Sequence, residues 1–102
     1  MYLTRLSTGV YDVAKLHRTT YESWDSVLST NLLGTFNCVK LATQDDTLRN
    51  GGSIVNLTNM TAQQGHVGLT AYSSAAHGVV GFTRCAALEL ADKDIRVNAV
   101  CS

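Results

Sequence analysis

The chain has 102 residues, of which 45% are hydrophobic and 16% are charged, a composition typical of a single small globular domain. Eight basic residues balance eight acidic residues and neither sign forms a run, so the charge pattern does not favour binding to nucleic acid or to an anionic membrane. No apolar stretch approaches the ~18 residues of a membrane span, and the first residues lack the apolar core of a signal peptide. Cys38, Cys85 and Cys101 are odd in number and widely spaced, which predicts three reduced thiols in a cytoplasmic protein.

The first strong element is a helix that begins near Thr19. Thr19 and Glu22 form a potential capping box, with Thr19 as the N-cap. Beyond them, apolar residues recur at steps of three and four as far as about Ala42. These apolar positions are Trp24, Val27, Leu28, Leu32, Phe36 and Val39. Because they lie on more than one side of the helix, the pattern predicts that two neighbouring elements cover it.

A short strand, a long helix and a second strand follow. Residues 53–58 form a β-rich run after a polar break, and residues 95–100 form another. Between them, a loop at 63–68 precedes a helical pattern from about Ala71 to Ala91. This order is that of a βαβ unit with parallel strands, which predicts an α/β fold.

The predicted sheet is small for a closed domain. It has two strands, or three if residues 2–6 contribute. A parallel sheet normally has both faces covered, and two large helices with so few strands leave one edge bare. The chain is therefore expected to form about half of a larger layered domain.

Four segments together resemble the short-chain dehydrogenase/reductase family, in the order and spacing of that family. They are ESWDSVLSTNLLGTF at 22–36, GGSIVNLTN at 51–59, AYSSAAHGVVGFTR at 71–84 and IRVNAV at 95–100. The resemblance implies a partial doubly wound Rossmann-type parallel sheet, about half of the family's domain. It also implies hydride transfer between NAD or NADP and a carbonyl or alcohol carbon of a small-molecule substrate.

The cofactor-binding half of the family pattern is missing from the sequence. No Gly-rich turn of the form G-x-x-x-G-x-G opens a helix. The family's Asn-Asn-Ala-Gly segment corresponds to residues 6–9, where only Gly9 is retained, so Gly9 is the candidate cofactor contact there. Residues 1–102 are therefore expected to form a truncated NAD(P)-binding Rossmann-type domain that lacks the Gly-rich N-terminal half.

The family's active site is a tetrad of Asn, Ser, Tyr and Lys, and two of the four positions match. Tyr72 corresponds to the tyrosine that contacts the cofactor and acts as general acid or base. Asn31, within TNLLG, corresponds to the asparagine that helps hold a water of the proton relay; the alternative is a mid-helix polar residue facing solvent. Asn59 occupies the serine position, where its bulkier amide can donate a hydrogen bond to a substrate oxygen. Ala76 occupies the lysine position, so the charge that would favour a tyrosinate is missing.

Four other side chains are possible replacements for the lysine. His77 lies five residues after Tyr72, about 140° around the helix axis, and therefore faces away from the phenol. His66 lies in the loop before Tyr72, near the place of the substrate in the family, and is a minor candidate for a catalytic group. Lys40 and Lys93 belong to other elements, and no motif places them near Tyr72.

Three functions remain open at this stage. The first is an NAD(P)-dependent oxidoreductase of this family, in which this chain alone neither binds NAD(P) nor turns over. The second is a non-catalytic fragment or pseudoenzyme that forms a homo-oligomer, or joins an intact homologue, through the helices at 20–42 and 71–91. Small residues of the second helix would permit that close approach: Ala71, Ser74, Ala75, Gly78 and Gly81. The third is an unrelated small α/β binding module.

Overall fold

The fold is built on one sheet of three parallel strands. The computed structural model describes residues 2–5, 13–44, 51–58 and 64–101. The strands are β1 (Tyr2–Arg5), β2 (Ser53–Thr58) and β3 (Arg96–Cys101), in the spatial order β1–β2–β3. In the middle of the sheet Asn56 is paired with Thr4 on one side and with Ala99 on the other. The predicted α/β class, the parallel pairing and a third strand near the N-terminus are confirmed; of the residues predicted for that strand, 2–5 form it and residue 6 lies outside the described residues. The strand β3 begins one residue later than predicted.

Two long helical segments complete the fold. They are a continuous rod composed of α1 (Tyr21–Leu28), a π-helical segment (Ser29–Leu33) and α2 (Gly34–Thr43), and a single long helix, α3 (Thr70–Leu90). The rod contacts the sheet through α2, and α3 crosses β2 and β3. The extents of both segments agree with the prediction to within two residues, but the sequence pattern gave no indication of the π-helical segment. No helix within the described residues is long and apolar enough to cross a membrane.

The N-cap of α1 is Thr20, so the prediction of Thr19 was wrong by one residue. The Thr20 hydroxyl accepts a hydrogen bond from the Ser23 backbone N–H at 3.0 Å. Thr19 is already engaged, because its hydroxyl donates to the Lys15 carbonyl at 3.1 Å. That bond belongs to a short 3₁₀ turn just before α1, Leu16–Arg18, which the sequence pattern did not reveal. The turn thus decides which of two adjacent threonines caps the helix.

The core lies between the helices and one face of the sheet. On β2 the side chains alternate, with Ile54, Asn56 and Thr58 buried towards the helices. One buried cluster joins the sheet to α2, with flanking side chains from α3: Val39, Ile54, Ile95 and Val97, flanked by Phe82, Ala86, Ala87 and Leu90. A second cluster joins α1 to α3: Val27, Ala71 and Ala75, flanked by Leu28, Leu32 and Tyr72.

The opposite face of the sheet is incompletely covered within the described residues. Val55 and Leu57 are half-buried there, and Val100 is 46% exposed. Parallel sheets are normally covered on both faces. The described part of the chain therefore has the layers of half a doubly wound domain, as the sequence predicted.

Candidate active-site region

Tyr72 lies in the first turn of α3 and packs against α1. Its side chain is half-buried beside the cluster of Val27, Ala71 and Ala75. The loop before α3 turns at Gly68, whose φ of +83° is costly for any residue with a side chain. The Gly68 carbonyl accepts a hydrogen bond from the Ala14 backbone N–H at 2.9 Å. The segment that precedes α1 is thereby joined to the loop that positions Tyr72.

Asn31 is buried inside the π-helical segment and is only 2% exposed, so the alternative of a solvent-facing residue is wrong. The side-chain Nδ2 of Asn31 donates to the Val27 backbone carbonyl at 3.0 Å. The backbone carbonyl of Asn31 accepts a hydrogen bond from the Thr35 hydroxyl at 3.0 Å. A π-helical segment inserts a residue into the helical turn and is frequent at functional sites. The segment also contacts α3, so the helices that carry Asn31 and Tyr72 pack against each other.

Position 76, which the resemblance equates with the family's lysine, carries a methyl group. Ala76 is one turn after Tyr72 on the same side of α3 and is only 2% exposed. Lys40 lies over the Phe36 ring, 5.7 Å from its centroid, on α2. Lys93 follows the far end of α3, about 30 Å along the helix axis from Tyr72. Neither lysine takes the place of the missing one.

The two histidines considered as replacements both line a surface cavity. His77 is exposed, and its Nδ1 lies 2.8 Å from the Ser73 carbonyl. Because a carbonyl only accepts hydrogen bonds, Nδ1 carries the proton in this contact. His66 is also exposed and lines the same cavity as Ser73 and His77.

Two predicted site residues lie outside the described part of the chain. They are Gly9, the candidate cofactor contact, and Asn59, which occupies the serine position. Thr58, the residue before Asn59, is buried on the helix-facing side of β2. The roles assigned to Gly9, Asn31, Asn59 and Tyr72 remain predictions.

Sequence reasoning missed a buried polar bridge between the sheet and α3. Nδ2 of Asn56 donates to the Thr83 hydroxyl at 2.9 Å, and that hydroxyl donates to the Val79 carbonyl at 2.7 Å. Asn56 is fully buried and Thr83 is 4% exposed. A signal was present in the sequence, since Asn56 interrupts the apolar run of β2 and buried amides are normally hydrogen-bonded.

Three of the small residues of α3 are explained by packing within the chain. Ala71 and Ala75 are buried against Val27 of α1. A Cβ at Gly78 would lie 2.8 Å from a Leu32 methyl carbon, so any larger residue would force the Leu32 side chain or α3 to shift. The remaining two, Ser74 and Gly81, are exposed.

Two features bear on a nicotinamide-cofactor site. The buried methyl group of Ala76 lies at the position that the resemblance equates with the family's lysine, and no Gly-rich turn of the form G-x-x-x-G-x-G is found in the sequence. Among the described residues, no three His, Cys, Asp or Glu side chains are grouped so that they could hold a metal ion. The three cysteines carry free thiols.

Comparison with known proteins gives the family. The family model described as short chain dehydrogenase matches residues 6–102. A 3-oxoacyl-[acyl-carrier-protein] reductase FabG of Staphylococcus epidermidis is 41% identical over 94 residues, which are 92% of this chain and 38% of the relative. The short-chain dehydrogenase/reductase aba4 of Botryotinia fuckeliana is 45% identical over 80 residues, which are 78% of this chain and 30% of the relative. The chain thus spans less than two fifths of the length of these relatives. It belongs to the short-chain dehydrogenase family.

Proposed function

We propose that this chain is the tyrosine-bearing part of an NAD(P)-dependent oxidoreductase fold, and that alone it neither binds NAD(P) nor turns over. The observation that carries the proposal is the buried Ala76, one turn after Tyr72. An unperturbed tyrosine has a pKa of about 10, which leaves only ~0.1% phenolate at pH 7. A lysine at position 76 would favour the phenolate through its charge, and a methyl group does not.

In this proposal Tyr72 occupies the place of the proton donor, and Asn31 and Asn59 occupy the flanking tetrad positions. Gly9 is the remaining glycine of a cofactor-binding segment. The substrate class is a small carbonyl compound or the matching alcohol, which the name of the bacterial 3-oxoacyl reductase supports. Free thiols at all three cysteines are consistent with a reducing, cytoplasmic location.

Calorimetric titration of this chain with NADH and with NADPH tests the proposal directly. We expect no heat of binding for either nucleotide at micromolar concentrations. A dissociation constant in that range for either one would refute the proposal, because it would show that a cofactor site exists without the Gly-rich turn and without a lysine at position 76.

A gain-of-function experiment tests the place of Tyr72. In a chimaeric protein that adds to this chain the part of the Staphylococcus epidermidis relative that it does not match, Ala76→Lys together with Asn59→Ser should raise carbonyl reduction by at least ~10²-fold, the scale of positioned acid–base catalysis. Ala76→Met with Asn59→Ser is the matched control, since methionine adds length without charge. Tyr72→Phe should abolish the gain. Absence of any gain with lysine would show that Tyr72 is not the catalytic acid.

A second role, association with another copy or with an intact homologue, is favoured by an exposed apolar face on the helices. Leu33 and Phe36, which are 49% and 40% exposed, line one surface cavity of this face together with Leu28, Leu32 and Phe82. Phe36 also packs edge-on against Phe82, with the ring centroids 6.1 Å apart, so the face continues onto α3. Exposed apolar patches of this kind mark interaction sites.

Sedimentation velocity tests the association. We expect a concentration-dependent dimer, and we expect Leu33→Lys to make the chain monomeric by placing a charge in the apolar face. Val67→Lys is the control, because Val67 is exposed in the loop before α3 and lies off that face. A chain that stays monomeric at all concentrations, alone and mixed with the intact bacterial relative, would exclude the second role.

A further inference from the structure

We propose that Asn56 and Thr83 are positioning residues that fix the setting of α3 on the sheet and thereby the place of Tyr72. The inference rests on the proposed role of Tyr72 as the proton-transfer residue. Its physical basis is the bridge from the Asn56 Nδ2 to the Thr83 hydroxyl at 2.9 Å, which the Thr83 hydroxyl extends to the Val79 carbonyl at 2.7 Å. The bridge links the sheet directly to this helix through two buried side chains.

The apolar packing around the bridge is less directional than the bridge itself. The buried side chains of the N-terminal half of α3 are small: Ala71, Ala75, Ala76 and Val79. Apolar burial is non-directional, so these small side chains specify the rotation of the helix less sharply than a hydrogen bond does. A buried hydrogen bond is directional and is lost on displacement, in the way that one buried asparagine sets the register of a coiled coil.

The bridge lies on the side of α3 that carries Tyr72. Thr83 follows Tyr72 by eleven residues, which corresponds to three turns plus about 20° of rotation and to about 16 Å along the axis. On the strand, Asn56 and Thr58 are both buried on the face towards the helices, two residues apart. One bond therefore couples the rotation of the Tyr72 side of α3 to the carboxyl end of β2, where the predicted substrate-binding position 59 follows. An error of ~1 Å in such a placement is enough to cost ~10²-fold in rate.

The test observes the Tyr72 ring and needs no enzymatic activity. The full chain is labelled with 3-fluorotyrosine, and the Tyr72 resonance is assigned by its loss in Tyr72→Phe. We expect Thr83→Val to move this fluorine resonance by more than one linewidth while the chain remains helical by circular dichroism. Thr83→Ser keeps the hydroxyl and should leave the resonance in place. Since position 83 is about 16 Å from Tyr72 along the helix, valine cannot act on the ring by contact.

Two further variants separate positioning from mere stability. Asn56→Val with Thr83→Val removes both partners of the bridge, so it should recover part of the urea midpoint lost by Thr83→Val alone while the Tyr72 resonance stays displaced. Thr43→Val deletes a hydroxyl that donates to the Val39 and Lys40 carbonyls of its own helix, and it should leave the resonance unchanged. If Thr83→Val does not fold, the double variant supplies the comparison.

An unmoved Tyr72 resonance in a folded variant without the bridge overturns the inference and reduces the bridge to a stabilising contact. That outcome would leave the proposed role of Tyr72 intact. Conversely, failure of the Ala76→Lys rescue would refute the proposed function and leave a displaced resonance standing as evidence for positioning.

Discussion

The two glycines of α3 that lie three residues apart should respond in opposite ways to the same substitution. Gly81→Ala adds a Cβ that meets no atom within 4 Å. This substitution should therefore raise the free energy of unfolding by the full helix-propensity difference between glycine and alanine, about 1 kcal/mol. Gly78→Ala adds a Cβ at 2.8 Å from one Leu32 methyl carbon and 3.2 Å from the other. Overpacking of this kind costs ~1–3 kcal/mol, which cancels or exceeds the propensity gain.

Urea unfolding followed by circular dichroism measures both variants. We expect the midpoint to rise for Gly81→Ala and to stay level or fall for Gly78→Ala, with the free energies of unfolding at least ~1 kcal/mol apart. Leu32→Ala removes the two methyl groups in question, so in its background Gly78→Ala should become stabilising. Equal stabilisation by both alanines in the unaltered chain would refute the close approach of α3 to the π-helical segment.

Three further predictions use the same urea titration. Thr20→Ala should cost about 1 kcal/mol because it removes the N-cap of α1, and Thr19→Ala should cost less. Ala76→Lys in this chain should lower the free energy of unfolding by ~1–3 kcal/mol, since a long side chain enters a site that is only 2% exposed. An unchanged free energy of unfolding would show that the side chain at position 76 is not enclosed. Ile54→Ala on the covered face of β2 should cost ~2–5 kcal/mol, whereas Val100→Ala on the opposite face should stay within ~0.5 kcal/mol; similar losses would show that both faces are covered.

The parts of the fold that the sequence predicted are those in which residue type or spacing supports one element over its whole length. Residues 53–58 form a β-rich run between polar segments, and the strand observed has the predicted bounds. The apolar steps through Val27 and Val39 similarly gave the extent of the first helical rod. Each pattern extends over a whole element, so that neighbouring positions support the same assignment.

The features that the sequence did not predict depend on a single local choice between near-equal alternatives. Thr19 and Thr20 are chemically equivalent caps, and only the 3₁₀ turn that engages Thr19 decides between them. The π-helical segment at Asn31 adds one residue to a turn without disturbing the apolar pattern on either side. The bridge from Asn56 to Thr83 spans 27 residues, a separation over which periodicity carries no information.

The sequence likewise predicted some features of the candidate site and not others. The helical pattern around Tyr72 predicted its place in the first turn of α3. The same pattern predicted that Ala76 lies one turn later on the same side of the helix. The burial of Asn31 did not follow, because a polar residue in mid-helix is expected at the surface and only the packing of the rod against α3 encloses it.

Among the described residues, apolar surface is incompletely covered on both outer layers of the fold, and the two surfaces would be covered by different partners. One is the sheet face of Val55, Leu57 and Val100, and the other is the helix face around Phe36. The helices and the covered sheet face lie between them, so a single partner element cannot cover both. A parallel sheet face is covered by helices of crossover connections, which requires a sheet that continues beyond these three strands. A helix face is covered by another helix pair, which a second copy or an intact relative supplies. Covering the sheet face and covering the helix face are therefore independent of each other. Leu33→Lys, which should prevent association through the helix face, should leave the binding of a partner to the sheet face unaffected.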